Sequence, residues 1–403
     1  MTDNSTSALD SVRVLDLTEE RGLYAGKMLA DFGADVIKIE KPEGSKARRT
    51  GPFKDDVPGL ENSLYFLYFN TNKRGITLDV DMPAGQDIFK QLVKRVDVVI
   101  EDAEVGRMQS IGLDYPVIRE LNPGIIMASV TGFGQTGPYR NYKAPDIVSF
   151  AMGGLMNASG PADEAPVVAP SVQSYYSASI ASVYGILAAL FLRMSTGEGQ
   201  LVDVSAHEVM AIFSGNGLMS YSNTAQIARR NGSQFGAVPG RIYPCMDGYV
   251  HILTVRPNHW QGFLEVLRMG NLDMSVGEEW NNAGFRNSNV DIIDAHVTEF
   301  TMTRTKMEIT ELCQAKGVPC TPVNTPLEFA RDSHVKERGL IIKIEHPVIG
   351  RHSYFSPPYR LSKTPCRIRR SAPLLGEHNR EVYYGELGHT DKELAKLKSA
   401  GII

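Results

Sequence analysis

The chain has 403 residues, of which 42% are hydrophobic and 22% charged, with a net charge of -4. That length accommodates two domains with separate cores, and the near-neutral balance excludes a global electrostatic case for binding nucleic acid or an anionic membrane. The opening MTDNSTSALD is polar and acidic, unlike a leader peptide, and the longest apolar run, Tyr184 to Leu192, stops at Arg193, short of a bilayer span; a cytoplasmic protein is expected.

In chain order, VRVLDL (Val12 to Leu17) reads as a strand, AGKMLADFGA (Ala25 to Ala34) as a helix closed by Gly33, and DVIKIE (Asp35 to Glu40) as a second strand. ITLDV (Ile76 to Val80), a helix over Pro83 to Arg95, VDVVI (Val96 to Ile100) and GIIMASV (Gly124 to Val130) continue the alternation. Strands rich in Val and Ile between helices of about ten residues predict a doubly wound α/β domain whose parallel sheet is covered on both faces. Helix-forming sequence runs from Ser174 to Met194 and resumes as QLVDVSAHEVMAIF from Gln200. The polar stretch Ser222 to Pro239 reads as a linker, GRIYPCMDGYVHILTV as a hairpin, and helices are expected around Trp260 and Met307. The expected layout is a large α/β domain begun by residues 1–222, a smaller α+β domain over 223–325, and a return segment, 326–403, completing the first. The Pro- and Arg-rich tail suits a segment lying across another surface, its Arg367, Arg369 and Arg370 touching a partner chain or only solvent.

The four cysteines (Cys245, Cys313, Cys320, Cys366) and the nine histidines are scattered without metal spacing, so reduced thiols and no metal site are expected. Glu40, ending the second strand, stands where a dinucleotide fold carries its ribose-binding acid. The first turn, LTEERGLYAG, has no G-x-G-x-x-G and puts Glu19 and Glu20 where a pyrophosphate needs bare backbone N–H groups, which argues against NAD or FAD. Anions are better served by KPEGSKARRTGPF, with Lys41, Lys46, Arg48 and Arg49, and by NTNKRGITLDV, with Lys73 and Arg74; solvated charged turns would look the same. Finally, Ala165 to Thr196 holds neither Asp nor Glu, although the chain carries 46 of them.

The segments VLDLT, LADFGADVIKIEKPEG, NTNKRGITLDV, TGFGQTGPYRNYKAPDIVSFAMGGLM, YGILAALFLRMSTGEGQLVDVS, YPCMDGYV and LSKTPCRIRRSAPLLGEHN, in this order, closely resemble the class III (formyl-CoA transferase-like) CoA-transferases. The resemblance implies a large α/β domain built from both chain ends, a smaller inserted domain, and a dimer of interlocked chains. It also implies the chemistry: an enzyme carboxylate attacks a CoA thioester, becomes an acyl carrier, and passes CoA to an incoming acid, which only Asp or Glu can do.

Relatives carry that aspartate just before the helix leading to GILAAL. Aligned on this segment, Tyr175 occupies its place, with Gln173 and Tyr176 alongside. The nearest acids, Asp163 and Glu164, lie about eleven residues upstream and are candidates for a substitute nucleophile. Where the family shows NFRPG followed by an Arg before LG, this chain has DAEVGRMQSIG, so Ala103 replaces an aromatic, Glu104 an arginine and Ser110 the second arginine. Phe150 replaces a common glutamine. A vestigial CoA site is therefore expected at Lys41, Lys73 and Arg74, altered at Ala103, Glu104 and Ser110. The resemblance implies the non-catalytic subunit of a heteromeric CoA-transferase, with the catalytic Asp in a homologous partner, no tightly bound cofactor, and a CoA thioester as substrate of the complex. Heteromeric members of anaerobic aromatic breakdown, including toluene catabolism, point to succinyl-CoA as donor and benzylsuccinate as acceptor. A homomeric transferase or isomerase with another nucleophile, and a CoA-sensing regulator, stay open as alternatives.

Overall fold

The computed structural model describes residues 7–215, 217–232, 234, 236–269 and 277–403; the first six residues, which enter the leader argument, lie outside the described residues. The chain divides into two compact units. The larger comprises Met1–Met156, Val168–Ser222 and His334–Ile403, the smaller Asn157–Val167 and Asn223–Ser333.

In the larger unit six strands form one parallel sheet: β1 (Arg13–Asp16), β2 (Asp35–Glu40), β3 (Arg74–Thr77), β4 (Val98–Glu101), β5 (Ile126–Thr131) and β6 (Leu201–Ser205), in the order β3-β2-β1-β4-β5-β6. The helices include α1 (Leu23–Asp31), α2 (Leu64–Phe69), α3 (Pro83–Val93), α4 (Arg107–Ser110), α5 (Tyr115–Leu121), α6 (Asp146–Met152), α7 (Gln173–Thr196) and α8 (Ala206–Phe213), followed later by a hairpin, Ile341–His346 with Gly350–Phe355, and a last helix, Asp391–Ser399. Successive strand residues serve opposite faces. Val14 and Val98 join Leu29 of α1 and Ile186 of α7 in one apolar layer, while Leu15 and Val99 join Phe89 and Leu92 of α3 in the other.

The reading of Gln200 onward as helix-forming needs correction. Leu201–Ser205 is the edge strand β6, its Val-rich LVDVS paired with Met127–Thr131, and the helix α8 starts only after Ser205, whose hydroxyl caps it by accepting from Glu208 N–H. α7, at 24 residues, is long and apolar enough to cross a membrane, yet its Ala178, Val183, Ile186 and Ala189 are packed into the first layer.

The tail is held on β3 of its own chain. His378 Nδ1 accepts from Gly75 N–H at 3.1 Å, Asn379 Oδ1 from Thr77 N–H at 2.8 Å, and Ile402 C=O from Asp79 N–H at 2.8 Å. Arg369 donates to Ser7 and to the carbonyl of Ala30, and the backbone N–H groups of Arg369 and Arg370 bond Asn72 Oδ1.

The smaller unit packs helices Pro257–Met269, Val290–Thr301 and Lys306–Ala315 on a three-stranded antiparallel sheet, Gly240–Cys245, Gly248–Leu253 and Cys320–Pro322, around Trp260, Phe263 and Phe300. It reaches Ser333 rather than 325 because the helix Pro326–Arg331 is anchored there by Glu328, paired with the buried Lys306 at 2.6 Å. It takes up Asn157–Val167 because the Arg230 guanidinium donates to the carbonyls of Asn157 and Pro161.

Candidate active site

With β1 and β4 side by side, the connections from these two strands run to opposite sides, and the crevice beyond their carboxyl ends is the place where open α/β sheets bind ligands. A cleft of about 540 Å³ opens there, bounded by Leu17 after β1, Lys41 after β2, Asp81 after β3 and Glu101 to Glu104 at the end of β4.

The two features a dinucleotide would need are both consumed internally. The carboxylate of Asp102 accepts the backbone N–H groups of Glu19 at 2.9 Å, Glu20 at 2.8 Å and Gly22 at 3.2 Å, so a resident anion already fills the nest ahead of α1. Glu40 is buried under Arg48, which clasps it with Nε at 2.7 Å and Nη2 at 2.9 Å. Burial raises the Glu40 carboxyl, but the Arg48 guanidinium outweighs it and holds the group below the usual carboxylate range.

The three expected CoA contacts separate. Lys73 is fully buried inside the sheet edge, where Nζ donates to Asp16 Oδ2 at 2.7 Å, Asn70 Oδ1 at 3.0 Å and the carbonyl of Leu23 at 3.2 Å. Burial brings its pKa down to about 8, while the facing Asp16, despite its own burial, is held low by Lys73 and Lys38. Gly26 is required beside this pair, since a Cβ there would lie 2.2 Å from Asp16 Oδ2 and 2.9 Å from Lys73 Nζ. Arg74 lies at the start of β3, the end of the strand away from the cleft, paired with Asp35, Glu381 and Glu386. Lys41 alone lines the cleft, half-exposed and paired with Asp81 at 2.8 Å. Lys46 and Arg49 line it too, but Arg49 is bonded to the carbonyls of Gly44 and Glu43. Ala103 and Glu104 line the cleft and Ser110 lies exposed on α4.

Tyr175, in the first turn of α7, is buried. Its hydroxyl lies 3.5 Å from the carbonyl of Ala144, and burial pushes its pKa up to about 12, so it is a neutral phenol at physiological pH. Gln173 turns back to the carbonyl of Pro170, and Tyr176 packs at 5.4 Å on Tyr24 and 5.6 Å on Phe69. Phe150 is buried in α6. Asp163 and Glu164 are exposed and belong to the smaller unit, whereas Tyr175 belongs to the larger.

Three acids escaped the sequence reading: Asp102, whose bonds to the turn ahead of α1 are given above, and Asp146 and Glu101. Asp146 opens α6 and caps α7 from outside it: Oδ1 accepts from Ser174 N–H at 2.7 Å, Ser174 Oγ at 2.6 Å and Tyr175 N–H at 3.4 Å. Its place in KAPDIVSF, just after a proline at a helix start, was the available signal. Glu101 ends β4, buried, with Oε2 accepting from Ala103 N–H at 2.8 Å. Burial, reinforced by Asp102 and Asp203, raises its pKa to about 7 despite hydrogen bonds from Ser129 and Ala103. It lines both the cleft and a second cavity of about 340 Å³ beneath α4 and α5. An acid ending a run of Val and Ile was its only sequence mark.

The family described as CoA-transferase family III matches residues 9–379. A formyl-CoA:oxalate CoA-transferase of Streptomyces coelicolor is 34% identical over 418 aligned positions, covering 99% of this chain and 100% of the relative. The succinyl-CoA:(R)-benzylsuccinate CoA-transferase subunit BbsE of Thauera aromatica is 31% identical, covering 97% of each. Among solved structures, a CAIB/BAIF family protein from Brucella suis superposes with a TM-score of 0.85 at 30% identity, over 94% of this chain and 99% of that one. An aspartate-to-alanine mutant of Rv3272 from Mycobacterium tuberculosis superposes at 0.80 and 26% identity, over 93% and 98%.

Proposed function

This chain belongs to CoA-transferase family III, and we propose that it is the non-catalytic subunit of a heteromeric CoA-transferase, with the nucleophilic aspartate supplied by a homologous partner chain. The observation that carries the reading is Tyr175, a buried neutral phenol in the first turn of α7 where the family resemblance places a carboxylate.

In the partner, the carboxylate attacks the acyl carbon of the donor thioester, expelling CoA thiolate and leaving a mixed anhydride. The thiolate then attacks the enzyme-derived carbonyl of that anhydride, releasing the donor acid and forming an enzyme-bound CoA thioester. The acceptor carboxylate repeats the two steps in reverse and leaves as its own CoA thioester. A phenol cannot be the acyl carrier of this sequence, because it has no carbonyl carbon for CoA to join.

The cleft of this chain is a vestigial CoA site. Of Lys41, Lys73 and Arg74 only Lys41 faces it, and Glu19, Glu20, Glu43 and Glu104 set negative charge beside the Arg21, Lys46, Arg49 and Arg107 that also line it. A partner is supported by the apolar stripe that α7 and α8 leave bare: Tyr184 is 69% exposed, Phe191 78%, Met194 85% and Ile212 76%. Exposed apolar side chains of this size, where they cluster, mark a protein contact. The occupant we assign is the homologous catalytic chain, and the assembly is placed in the cytoplasm. BbsE, a subunit by name, supports the heteromeric reading and makes succinyl-CoA and benzylsuccinate the first pair to assay. The formyl-CoA:oxalate relatives supply the second pair.

The test is to assay both pairs with this chain alone, the candidate partner alone, and the two co-expressed. Activity confined to the mixture, abolished by replacing the partner's aspartate and unchanged by Tyr175→Phe, is the expected result. Turnover by this chain alone overturns the reading. One observation favours a second reading in that event: Asp146 leaves Oδ2 without a hydrogen bond among the described residues, beside the first turn of α7. A homomeric transferase with Asp146 as nucleophile would turn over alone and lose activity in Asp146→Asn.

A further inference from the structure

Arg21 lies in the turn between β1 and α1, next to the position Tyr175 fills. Its backbone is fixed on both sides. The carbonyl accepts from Ser179 Oγ of α7 at 2.7 Å, and the N–H groups of Glu20 and Gly22 flanking it are held by Asp102. The side chain extends towards the first turn of α7, with its guanidinium carbon 5.8 Å from the centre of the Tyr175 ring. Nη1 donates to the carbonyl of Asp102 at 3.2 Å, and Nη2 reaches the carbonyl of Ala144 at 3.5 Å, the same oxygen that faces the Tyr175 hydroxyl. Both contacts are long, and Nε is buried with no hydrogen-bond partner among the described residues.

A guanidinium N–H shut away from water without an acceptor is an unpaid desolvation cost. Its natural complement is a carboxylate, which can take two N–H groups of the fork at once. The neutral phenol at 175 offers no anionic oxygen. Resting on the reading that 175 is where relatives carry the nucleophile, we infer that Arg21 is a second block on carboxylate chemistry in this chain, because an acid restored at 175 would be captured by its guanidinium as an ion pair. A captured carboxylate has its lone pairs committed to N–H groups and is a poor nucleophile towards a thioester. Beside the altered cleft, the missing aspartate is then not all that separates this chain from an active one, and a single reversion leaves it silent.

The experiment compares Tyr175→Asp with Arg21→Met/Tyr175→Asp in the full chain. Met keeps the reach of the side chain without its charge, so access to residue 175 is preserved. Each variant is treated with a water-soluble carbodiimide and glycine amide. The carboxyl oxygen adds to the carbodiimide with uptake of one proton, the amine displaces the urea, and the new amide is read by mass spectrometry on the peptide containing residue 175. Capture by Arg21 predicts labelling about tenfold or more slower in the single variant than in the double, in line with the effect of an adjacent arginine on a carboxyl's proton affinity. Equal rates overturn the inference. Should Tyr175→Asp fail to fold, Tyr175→Glu with and without Arg21→Met carries the same comparison. The labelling ratio does not depend on which chain performs catalysis, so its failure is distinguishable from failure of the heteromer assay.

Discussion

The carboxylate of Asp102 accepts the backbone N–H of Glu20 at 2.8 Å across 82 residues of sequence. With Glu19 and Gly22 it completes three such bonds, so an end of β4 clamps the turn leaving β1. Asp102→Ala strips an anion from three donors at once, and hydrogen bonds to charged groups contribute about 1.5–3 kcal/mol each at best. We expect a loss of about 2–3 kcal/mol in urea unfolding, with Asp102→Asn recovering part of it. A loss under about 0.5 kcal/mol would show that water replaces the clamp.

Lys73 and Lys41 are both basic residues near strand ends, yet they should respond in opposite ways. Lys73→Met takes from the fully buried Asp16 its closer cation and leaves Lys38 at 3.6 Å, which costs about 3 kcal/mol, the low end for breaking a buried pair. Lys41→Met removes an exposed pair with Asp81 and should cost less than about 1 kcal/mol. Denaturation midpoints of the two variants decide the matter, and similar costs would refute the assignment of Lys73 to the interior.

Glu101 predicts a pH dependence. Its folded pKa, about 7, lies above the unfolded value of 4.5, so the folded state binds the proton more tightly. The associated stability is fully present below pH 4.5 and is lost as pH rises through 7. At about 1.4 kcal/mol per tenfold in proton affinity, the whole change is about 3 kcal/mol. Glu101→Gln does not titrate, so the stability of the wild type relative to this variant should fall by that order between pH 4.5 and 7.5. A constant difference across the range would rule the effect out.

Asp146 acts on α7 as a cap borrowed from another helix, since Val172, at the cap position, supplies no side-chain bond. Asp146→Ala should cost about 1–2 kcal/mol, the range of a lost N-cap, and Asp146→Asn less. Thermal unfolding gives the ranking directly, and a fully neutral Ala variant would mean that Ser174 finds another partner.

Most of the larger unit was legible in the sequence because its strands are buried on both faces and so read as Val- and Ile-rich runs, as in the VVI of Val98–Ile100. β6 was not, because it is the edge strand and is half-exposed, and LVDVS runs straight into a helix whose pattern dominates a short window. At the site, what residue type alone decides was legible, namely that the first turn of α7 carries no acid. The site was not legible where the decision lies in direction. Lys73 and Arg74 are neighbours, and no spacing rule says that one points into the sheet edge and the other to the far end of β3. Asp102 was invisible for the same reason, since its partners lie eighty to eighty-three residues away.

The bonds from His378 to Gly75 and from Asn379 to Thr77 span 303 and 302 residues. During synthesis β3 is therefore made long before the residues that pin it, and the smaller unit, contained almost wholly in Asn223–Ser333, emerges in between. The larger unit must wait on the ribosome with an unfinished sheet edge while its guest can already close. That interval is when a chaperone, or a second nascent chain of the same fold, would find β3 open.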